Sequence, residues 1–200
     1  MQKKTIIFGS TGILGREILA QIKTPDFLSP PHSLVDITKI EEIRDFVNQE
    51  EISQILHLAA IVGARGCEEN KERAYLTNVI GTKNIAEVCL NQKIKMIYLS
   101  TDTIFNGEKG NYKEEDIPDP INYYSFTKVL GECFVETVPS HLIIRSSFFS
   151  KKSFPYVKVL VDQYTTKITA DILAGEILLA IDKNLEGIIH IGGERDTSYN

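Results

Sequence analysis

The sequence is 200 residues long, with 42% hydrophobic and 24% charged residues, which is typical of one soluble globular domain. The formal net charge is -5 and lysine and arginine do not cluster, which argues against nucleic acid as a partner. The N-terminus has neither a signal-peptide pattern nor a membrane-spanning apolar run, so no membrane is expected. Three cysteines without a CxxC pair indicate reduced thiols, no bound metal and a cytoplasmic protein.

The first predicted unit is a strand, a glycine turn and a helix. The apolar run 5–8 ends at Gly9, and Gly12 and Gly15 complete a G-x-x-G-x-x-G spacing before an amphipathic segment over 16–22. Glycines at this spacing permit a tight turn, close approach to a pyrophosphate and close helix packing. The helix N-terminus adds unpaired N–H groups and the positive end of the helix dipole. The pattern therefore predicts a dinucleotide-phosphate site.

The next strand should carry the group that reads the adenosine ribose. The candidate, 26–29, runs into two prolines and has no acidic residue at its C-terminal end, which favours NADPH over NADH. Asp36 lies at the usual distance from the glycines, within 34–38, which we predict to be a short strand entering a helix. Thr38 and Glu41 have the spacing of a capping box for that helix. Asp36 therefore either contacts the adenine or caps the helix, and the pattern leaves both open.

The middle of the chain continues the alternation of strands and helices. The segment 53–60 predicts a central strand ending in small residues, where a cofactor could pass close, and His57 within it is interpreted as a hydrogen-bonded core histidine. A helical pattern follows over 67–91, and Asn78 within its buried stripe requires hydrogen-bond partners. With a further strand over 141–145, the alternation predicts a doubly wound parallel α/β sheet.

The chemistry is concentrated after a strand over 96–99. Two hydroxyl residues and a carboxylate follow this strand, namely Ser100, Thr101 and Asp102. A long polar loop comes after them, over 106–121. Tyr124 and Lys128 then stand four residues apart, which at helical spacing places the phenol and the ammonium on one face. A cation near a phenol lowers its pKa, which suits general acid or base catalysis at a ketone or alcohol. For an isolated pair of this kind, a solvated helix face is the alternative.

These motifs together resemble the extended short-chain dehydrogenases/reductases, and within them the dTDP-4-dehydrorhamnose reductase family. The general motifs are the three glycines, 57–60, Asn78 with Gly81 and Thr82, 100–102, and Tyr124 with Lys128, Gly131 and Glu132. The subgroup is indicated by 36–38, Phe105, Gly107, Pro120, Asn122 and the later pair Asp162 and Gln163. The resemblance implies an NAD(P)-binding Rossmann domain over 1–146 and a reduced substrate-binding segment over 147–200.

The resemblance also assigns roles. Tyr124 would protonate a ketone oxygen, Lys128 would hold the nicotinamide ribose and lower the pKa of that tyrosine, Thr101 would hydrogen-bond the reacting oxygen, and Asn78 would support a water leading to Lys128. The implied cofactor site for NADP(H) or NAD(H) comprises Gly9, Thr11, Gly12, Ile13, Leu14, Gly15, Asp36, Ile37, Leu58, Ala59, Ala60, Tyr124 and Lys128. The implied substrate contacts are Asp102, Phe105, Asn122 and Arg145.

Two departures from the family pattern bear on the reaction. Related sugar-nucleotide dehydratases carry an acidic pair after the threonine, whereas Thr103 stands here, so carbonyl reduction is favoured over dehydration. Between Arg145 and Asp162 the chain offers only 146–161, where the family has a longer segment that closes over the nucleotide-sugar. A helix over 170–182 and a strand over 187–191 still fit the pattern, and 197–200 resemble the start of another helix.

The main hypothesis is an NAD(P)H-dependent reductase of a 4-keto nucleotide-deoxysugar in cell-surface polysaccharide synthesis. One alternative is a non-catalytic module that binds a dinucleotide or nucleotide-sugar, as in the regulatory subunits of methionine adenosyltransferase, and another is a sugar-nucleotide epimerase. Because the predicted cofactor and catalytic residues precede the shortened segment, we expect cofactor binding to survive. We expect a high KM or no detectable reduction unless a homodimer or another partner completes the nucleotide-sugar pocket.

Overall fold

The computed structural model describes residues 4–151, 164–194 and 196–197. The strands are β1 (Lys4–Phe8), β2 (Phe27–Leu28), β3 (Ile52–His57), β4 (Lys95–Leu99), β5 (His141–Ser146), β6 (Phe148–Phe149), β7 (Tyr164–Thr165), β8 (Ile168–Thr169), β9 (Gly187–Ile191) and β10 (Asp196–Thr197). The helices are α1 (Ile13–Gln21), α2 (Ile40–Val47), α3 (Ala64–Glu69), α4 (Lys71–Tyr75), α5 (Thr82–Gln92), α6 (Tyr123–Val135) and α7 (Ala170–Asp182). A π-helical turn (Leu76–Gly81) joins α4 to α5, and a 3-10 turn (Asp102–Ile104) follows β4.

Six parallel strands form the central sheet in the order β2-β1-β3-β4-β5-β9. The chain leaves β1 in one direction to form β2 and then returns to the other side of β1 to form β3. This reversal brings the C-terminal ends of β1 and β3 together, and Leu58 N–H donates to Phe8 O across 2.9 Å there. In sheets of this kind ligands bind at such a reversal point. The predicted doubly wound parallel α/β fold is therefore confirmed.

Helices cover both faces of the sheet because side chains alternate along each strand. Ile6 and Phe8 of β1 point to the face covered by α2, α5 and α6, whereas Ile7 points to the face covered by α1 and α7. Ile43 of α2 and Ile18 of α1 are fully buried on these two faces, respectively. The two layers hold the carboxyl ends of the strands in fixed positions at one edge.

The predicted C-terminal helix and strand are confirmed at the expected bounds, 170–182 and 187–191. Both belong to the central layers, since α7 packs with α1 and β9 pairs with β5 from Leu142–Gly187 to Ser146–Ile191. The expected division at residue 146 therefore does not follow the sheet, because these later elements complete it. Among the described residues, the short strand pairs β6–β8 and β7–β10 lie apart from the sheet, and all of these strands except β10 belong to the segment between β5 and α7.

The predicted strand over 34–38 is wrong. The N–H groups of Leu34 and Val35 both donate to Pro31 O, at 2.9 and 3.1 Å, so a tight turn uses the groups that a sheet would need. Asp36 Oδ1 then accepts hydrogen bonds from the N–H and hydroxyl of Thr38, at 3.0 and 2.8 Å. The capping box is also wrong, because Lys39 is the N-cap of α2 and makes no side-chain cap bond.

The single long helix predicted over 67–91 is interrupted. Asn70 ends α3 with a non-helical backbone, and its side chain accepts from Arg73 N–H to begin α4. The π-helical turn then inserts a wider turn that places Asn78 and Val79 in the interior. Turns of this kind occur often at functional sites. The periodicity predicted the helical character but not these two breaks.

Some predictions fall outside the described residues. Asp162, Gln163 and most of the segment 146–161 lie there, as do 198–200 of the predicted final helix. Within the described ranges, no helix combines the length and the apolar character that crossing a membrane requires.

Candidate functional site

The glycine turn between β1 and α1 is shaped by close backbone packing. Gly9 has a φ of +88°, and a Cβ atom there would lie 2.5 Å from Ala59 N at the end of β3. A Cβ on Gly15 would lie 2.5 Å from Ser10 Cα and 2.6 Å from Gly9 O. Neither position accommodates a side chain, because real Cβ contacts do not approach so closely. The residues that lead into α1, Thr11, Gly12 and Ile13, are exposed.

This turn fits a dinucleotide pyrophosphate. The first N–H groups of a helix lack intrahelical partners, and the helix dipole favours an anion beside them. The exposed turn leaves these groups of α1 open beside the paired C-terminal ends of β1 and β3. Leu14 and Gly15 are buried and anchor the helix, whereas Leu58, Ala59 and Ala60 are half-buried along the neighbouring strand end. The structure thus brings the predicted glycine-turn and β3 residues to one site.

Asn78 clamps the loop after β3 to α6. Its Oδ1 accepts from Ile61 N–H at 2.8 Å, and its Nδ2 donates to Ile61 O at 2.9 Å and to Thr127 Oγ1 at 3.0 Å. All of these bonds are with protein groups, and Asn78 is 1% exposed. The backbone carbonyl oxygen of Asn78 accepts from Thr82 Oγ1 at 2.7 Å. The predicted role of supporting a water stays a prediction, and the geometry gives Asn78 a clamping role.

Thr101 and Tyr124 meet at the C-terminal end of β4. Thr101 is buried and caps the 3-10 turn by accepting from Thr103 N–H at 3.3 Å, whereas partly buried Tyr124 lies in the first turn of α6. The Thr101 side chain lies close enough to the phenol to lower its pKa, which opposes the effect of burial. Burial dominates and raises the pKa of Tyr124 to about 12, so the phenol is protonated at neutral pH.

Lys128 lies one turn further along α6 and is 3% exposed. Its Nζ is 4.0 Å from the centroid of the Tyr98 ring. Burial lowers the pKa of Lys128 to about 7, against the opposing charge of Glu132. The expectation that Lys128 lowers the pKa of Tyr124 is therefore wrong for this structure, because burial acts on both groups and disfavours both charged forms.

A buried ion pair lies behind Lys128. Glu132, four residues further along α6, accepts from Arg145 Nη2 at 2.8 Å and from Ser100 Oγ at short range. The carboxylate and guanidinium side chains are 5% and 4% exposed. Arg145 Nη1 also donates to Glu114 O at 3.0 Å, so this pair ties α6 to β5 and to the long polar loop. Removal of one partner from such a pair leaves a buried uncompensated charge.

The four predicted substrate residues have different surroundings. Asp102 adjoins Thr101 and is partly buried, and burial raises its pKa against hydrogen bonds from Thr101 and Ser147. Asn122 caps α6 by accepting from Ser125 N–H at 2.9 Å. Phe105 is 8% exposed and stacks on Tyr112 with centroids 4.3 Å apart. Arg145 is 5% exposed and engaged with Glu132, so its guanidinium supports the site from behind.

The predicted adenosine-side residues form a separate group. Asp36 is partly buried, and although burial favours its neutral form, the hydrogen bonds from Thr38 lower its pKa. The nearby side chains of His32 and Lys39 contribute further lowering. Ile37 is 5% exposed and packs under Gly81 of the π-helical turn. The capping alternative for Asp36 is not found, and the adenine contact stays a prediction.

His57 is confirmed as a hydrogen-bonded core histidine. It is 1% exposed, and its Nε2 lies 3.0 Å from Thr82 Oγ1. Burial, together with the nearby charge of Lys128, lowers the pKa of His57 to about 3. The imidazole is therefore neutral in the folded protein at neutral pH.

Several residues of the site were not given a role from the sequence, although some of them stand in its motifs. Ser125, Thr103 and Ser100 contribute hydroxyls to the catalytic surroundings, and Tyr98 lies under the Lys128 ammonium. A signal for Glu132 was present, because an acid four residues after a buried lysine requires a partner. Nothing in the linear pattern indicates that this partner is Arg145 on the next strand.

The sequence model of the family described as RmlD substrate binding domain matches residues 3–199. Among curated proteins, the chain is 29% identical to the probable low-salt glycan biosynthesis reductase Agl14 of Haloferax volcanii, over 94% of this chain and 74% of that protein. That alignment spans 222 positions, more than the whole of this chain, so the relative has residues without a counterpart here.

Two solved structures of dTDP-4-dehydrorhamnose reductases resemble this chain along nearly its whole length. The crystal structure of a hypothetical dTDP-4-dehydrorhamnose reductase from Sulfolobus tokodaii has a TM-score of 0.88 and 34% identity, over 97% of this chain and 78% of that one. The dTDP-4-dehydrorhamnose reductase of Bacillus anthracis, solved in complex with NADP, has a TM-score of 0.91 and 27% identity, over 98% and 77%.

Proposed function

Because the chain belongs to the RmlD substrate binding domain family, within the extended short-chain dehydrogenases/reductases, we propose that it is an NAD(P)H-dependent reductase. Its proposed substrate is a nucleotide-activated deoxysugar with a 4-keto group, in cell-surface polysaccharide synthesis. The observation that carries the proposal is the position of Thr101 beside Tyr124, with Lys128 one turn away, at the sheet edge that also holds the glycine turn. A dinucleotide-binding module without turnover has no need of this set.

The dinucleotide would be held by the glycine turn, by the end of β3 and by Lys128. When bound, NAD(P)H supplies the hydride that adds to the carbonyl carbon. The protein must then place the carbonyl oxygen within hydrogen-bond distance of Thr101 and Tyr124. Both hydroxyls are fixed by the elements that carry them, the 3-10 turn and the first turn of α6.

Proton transfer is the part of the reaction that this chain performs. As the carbonyl π bond opens, Tyr124 gives its phenolic proton to the oxygen, forming the alcohol and leaving a phenolate. A phenol whose pKa is about 12 still holds its proton at neutral pH, and a developing alkoxide is the stronger base. Thr101 donates its own hydrogen to the same oxygen and stabilises the charge that develops there. Solvent returns a proton to the phenolate after product release.

Reduction is distinguished from epimerisation and from simple binding by stoichiometry. The chain is incubated with NADPH and a nucleotide-linked 4-keto-6-deoxysugar, and both the oxidised cofactor and the sugar product are quantified. A reductase forms one 4-hydroxy sugar, heavier by two hydrogens, for each NADPH consumed. An epimerase changes the sugar without net NADPH consumption, and a binding module changes neither compound, so either result would contradict the proposal.

A further inference from the structure

Three hydroxyl side chains form a row that ends at the proposed reacting centre. Ser125 Oγ donates to Thr103 Oγ1 across 2.9 Å, and Thr103 Oγ1 lies 3.0 Å from Thr101 Oγ1. Thr101 in turn lies close enough to the Tyr124 phenol to lower its pKa. We call Ser125, Thr103 and Thr101 the hydroxyl row. Only its last member has a role in the reaction described above.

The row is fixed at both ends by backbone bonds. At one end, Thr101 Oγ1 caps the 3-10 turn and accepts from Thr103 N–H at 3.3 Å. At the other end, Ser125 is fully buried, and its N–H donates to the Asn122 cap of α6 at 2.9 Å. Thr103 is exposed and lies between these fixed positions. The three oxygens therefore hold their spacing without depending on a flexible side chain.

Counting hydrogens gives the row a direction. Each hydroxyl has one hydrogen to donate. Ser125 gives its hydrogen to Thr103. Thr101 gives its own hydrogen to Asp102 Oδ1, so the hydrogen in the Thr103–Thr101 contact comes from Thr103. Thr101 Oγ1 then accepts both the hydroxyl and the N–H of Thr103, and its own hydrogen must point away from them. The groups on that side are Tyr124 and Asp102 Oδ1, the latter at 3.3 Å.

We infer that Thr103 and Ser125 are positioning residues that turn the Thr101 hydroxyl into a donor aimed at the substrate oxygen. This inference rests on the proposed reduction, in which Thr101 must donate rather than accept. A Thr101 hydroxyl that points back to Thr103 would present a lone pair to the developing negative charge. The row removes that orientation before substrate binds, so no reorientation is needed during the reaction.

Matched variants test the inference by kinetics. Thr103→Val keeps the branched shape and removes the hydroxyl, and we expect about a tenfold loss of kcat with KM changed less than twofold. Thr103→Ser restores the donor and should recover most of kcat, which a purely steric role would not produce. Ser125→Ala should give a smaller loss of the same kind. Thr137→Val, at an exposed position just beyond the end of α6, is the control and should leave kcat unchanged.

Hydrogen positions test the inference without turnover. Neutron diffraction of the deuterium-exchanged full chain should show the Thr103 deuterium directed at Thr101 Oγ1, and the Thr101 deuterium directed at Tyr124 or Asp102. A Thr101 deuterium directed at Thr103, or a Thr103→Val variant that keeps wild-type kcat, would overturn the inference. If the wild-type chain reduces no 4-keto sugar, the proposed function fails, and the neutron result alone decides the direction of the row.

Discussion

The Nζ atom of Lys128 lies 4.0 Å from the centroid of the Tyr98 ring, inside the protein and one turn from Tyr124. An aromatic face attracts a cation without offering it a counter-charge. Burial lowers the pKa of this lysine to about 7, so its charge is present below that pH and is lost above it. The site therefore holds a lysine whose charge changes near neutrality.

The first prediction concerns this charge. We expect NADPH affinity and kcat/KM to fall as the pH rises through about 7, because the neutral amine binds the cofactor ribose less well. Lys128→Met should lower both quantities at every pH and remove the dependence. Lys83→Met, on the exposed face of α5, is the matched control. Profiles for Lys128→Met that still titrate near the same pH would assign the effect to another group.

A second prediction concerns the proton donor. Tyr124→Phe keeps the ring and removes the hydroxyl, so we expect kcat to fall by about 10²- to 10⁴-fold, the usual contribution of a general acid. Cofactor affinity should change only a few fold, because the glycine turn is untouched. Steady-state kinetics and a fluorescence titration with NADPH measure the two effects. Substantial turnover in the variant would assign the proton to a different residue.

A third prediction concerns acid stability. Since the pKa of His57 is about 3 in the folded protein and near 6.5 when unfolded, the unfolded chain binds the extra proton between these values. Stability should therefore decrease as the pH is lowered through this range, by roughly 3 kcal/mol from about pH 6.5 to about pH 4 from this residue alone. Urea unfolding of wild type and His57→Gln measures it. Parallel stability curves for the two proteins would contradict the assignment.

A fourth prediction concerns cofactor choice. The strand β2 has no carboxylate after Leu28, and His32 and Lys39 lie close enough to Asp36 to affect its pKa. NADPH should therefore bind at least as well as NADH. Titration of both cofactors, with wild type and Asp36→Asn, provides the measurement. A strong NADH preference that Asp36→Asn abolishes would mean that Asp36 bonds the ribose 2′-hydroxyl.

Local signals in the sequence were sufficient for much of the fold. The glycine turn, the helix that carries Tyr124 and Lys128, and the final helix and strand were all predicted, because each depends on spacing within one short segment. The turn within 34–38 was not predicted. The N–H groups of Leu34 and Val35 donate to Pro31 O and are therefore not available for strand pairing.

The surroundings of the catalytic residues depended on contacts distant in sequence. The Glu132–Arg145 pair joins α6 to β5, and the Tyr98 ring reaches Lys128 from β4. The pKa of Tyr124 was predicted to fall because only its neighbour at helical spacing was visible in the sequence. Its burial depends on the folded packing and acts in the opposite direction.

The central claim is tested most directly by the rate of NADPH oxidation with a panel of nucleotide-linked 4-keto-6-deoxysugars, using the purified 200-residue chain. We expect oxidation that requires the sugar, is lost in Tyr124→Phe and has a high KM, since the segment between β5 and α7 is short. Addition of a partner that completes the pocket should lower that KM. Tight NADPH binding without sugar-dependent oxidation by any member of the panel, at any sugar concentration, would contradict the account.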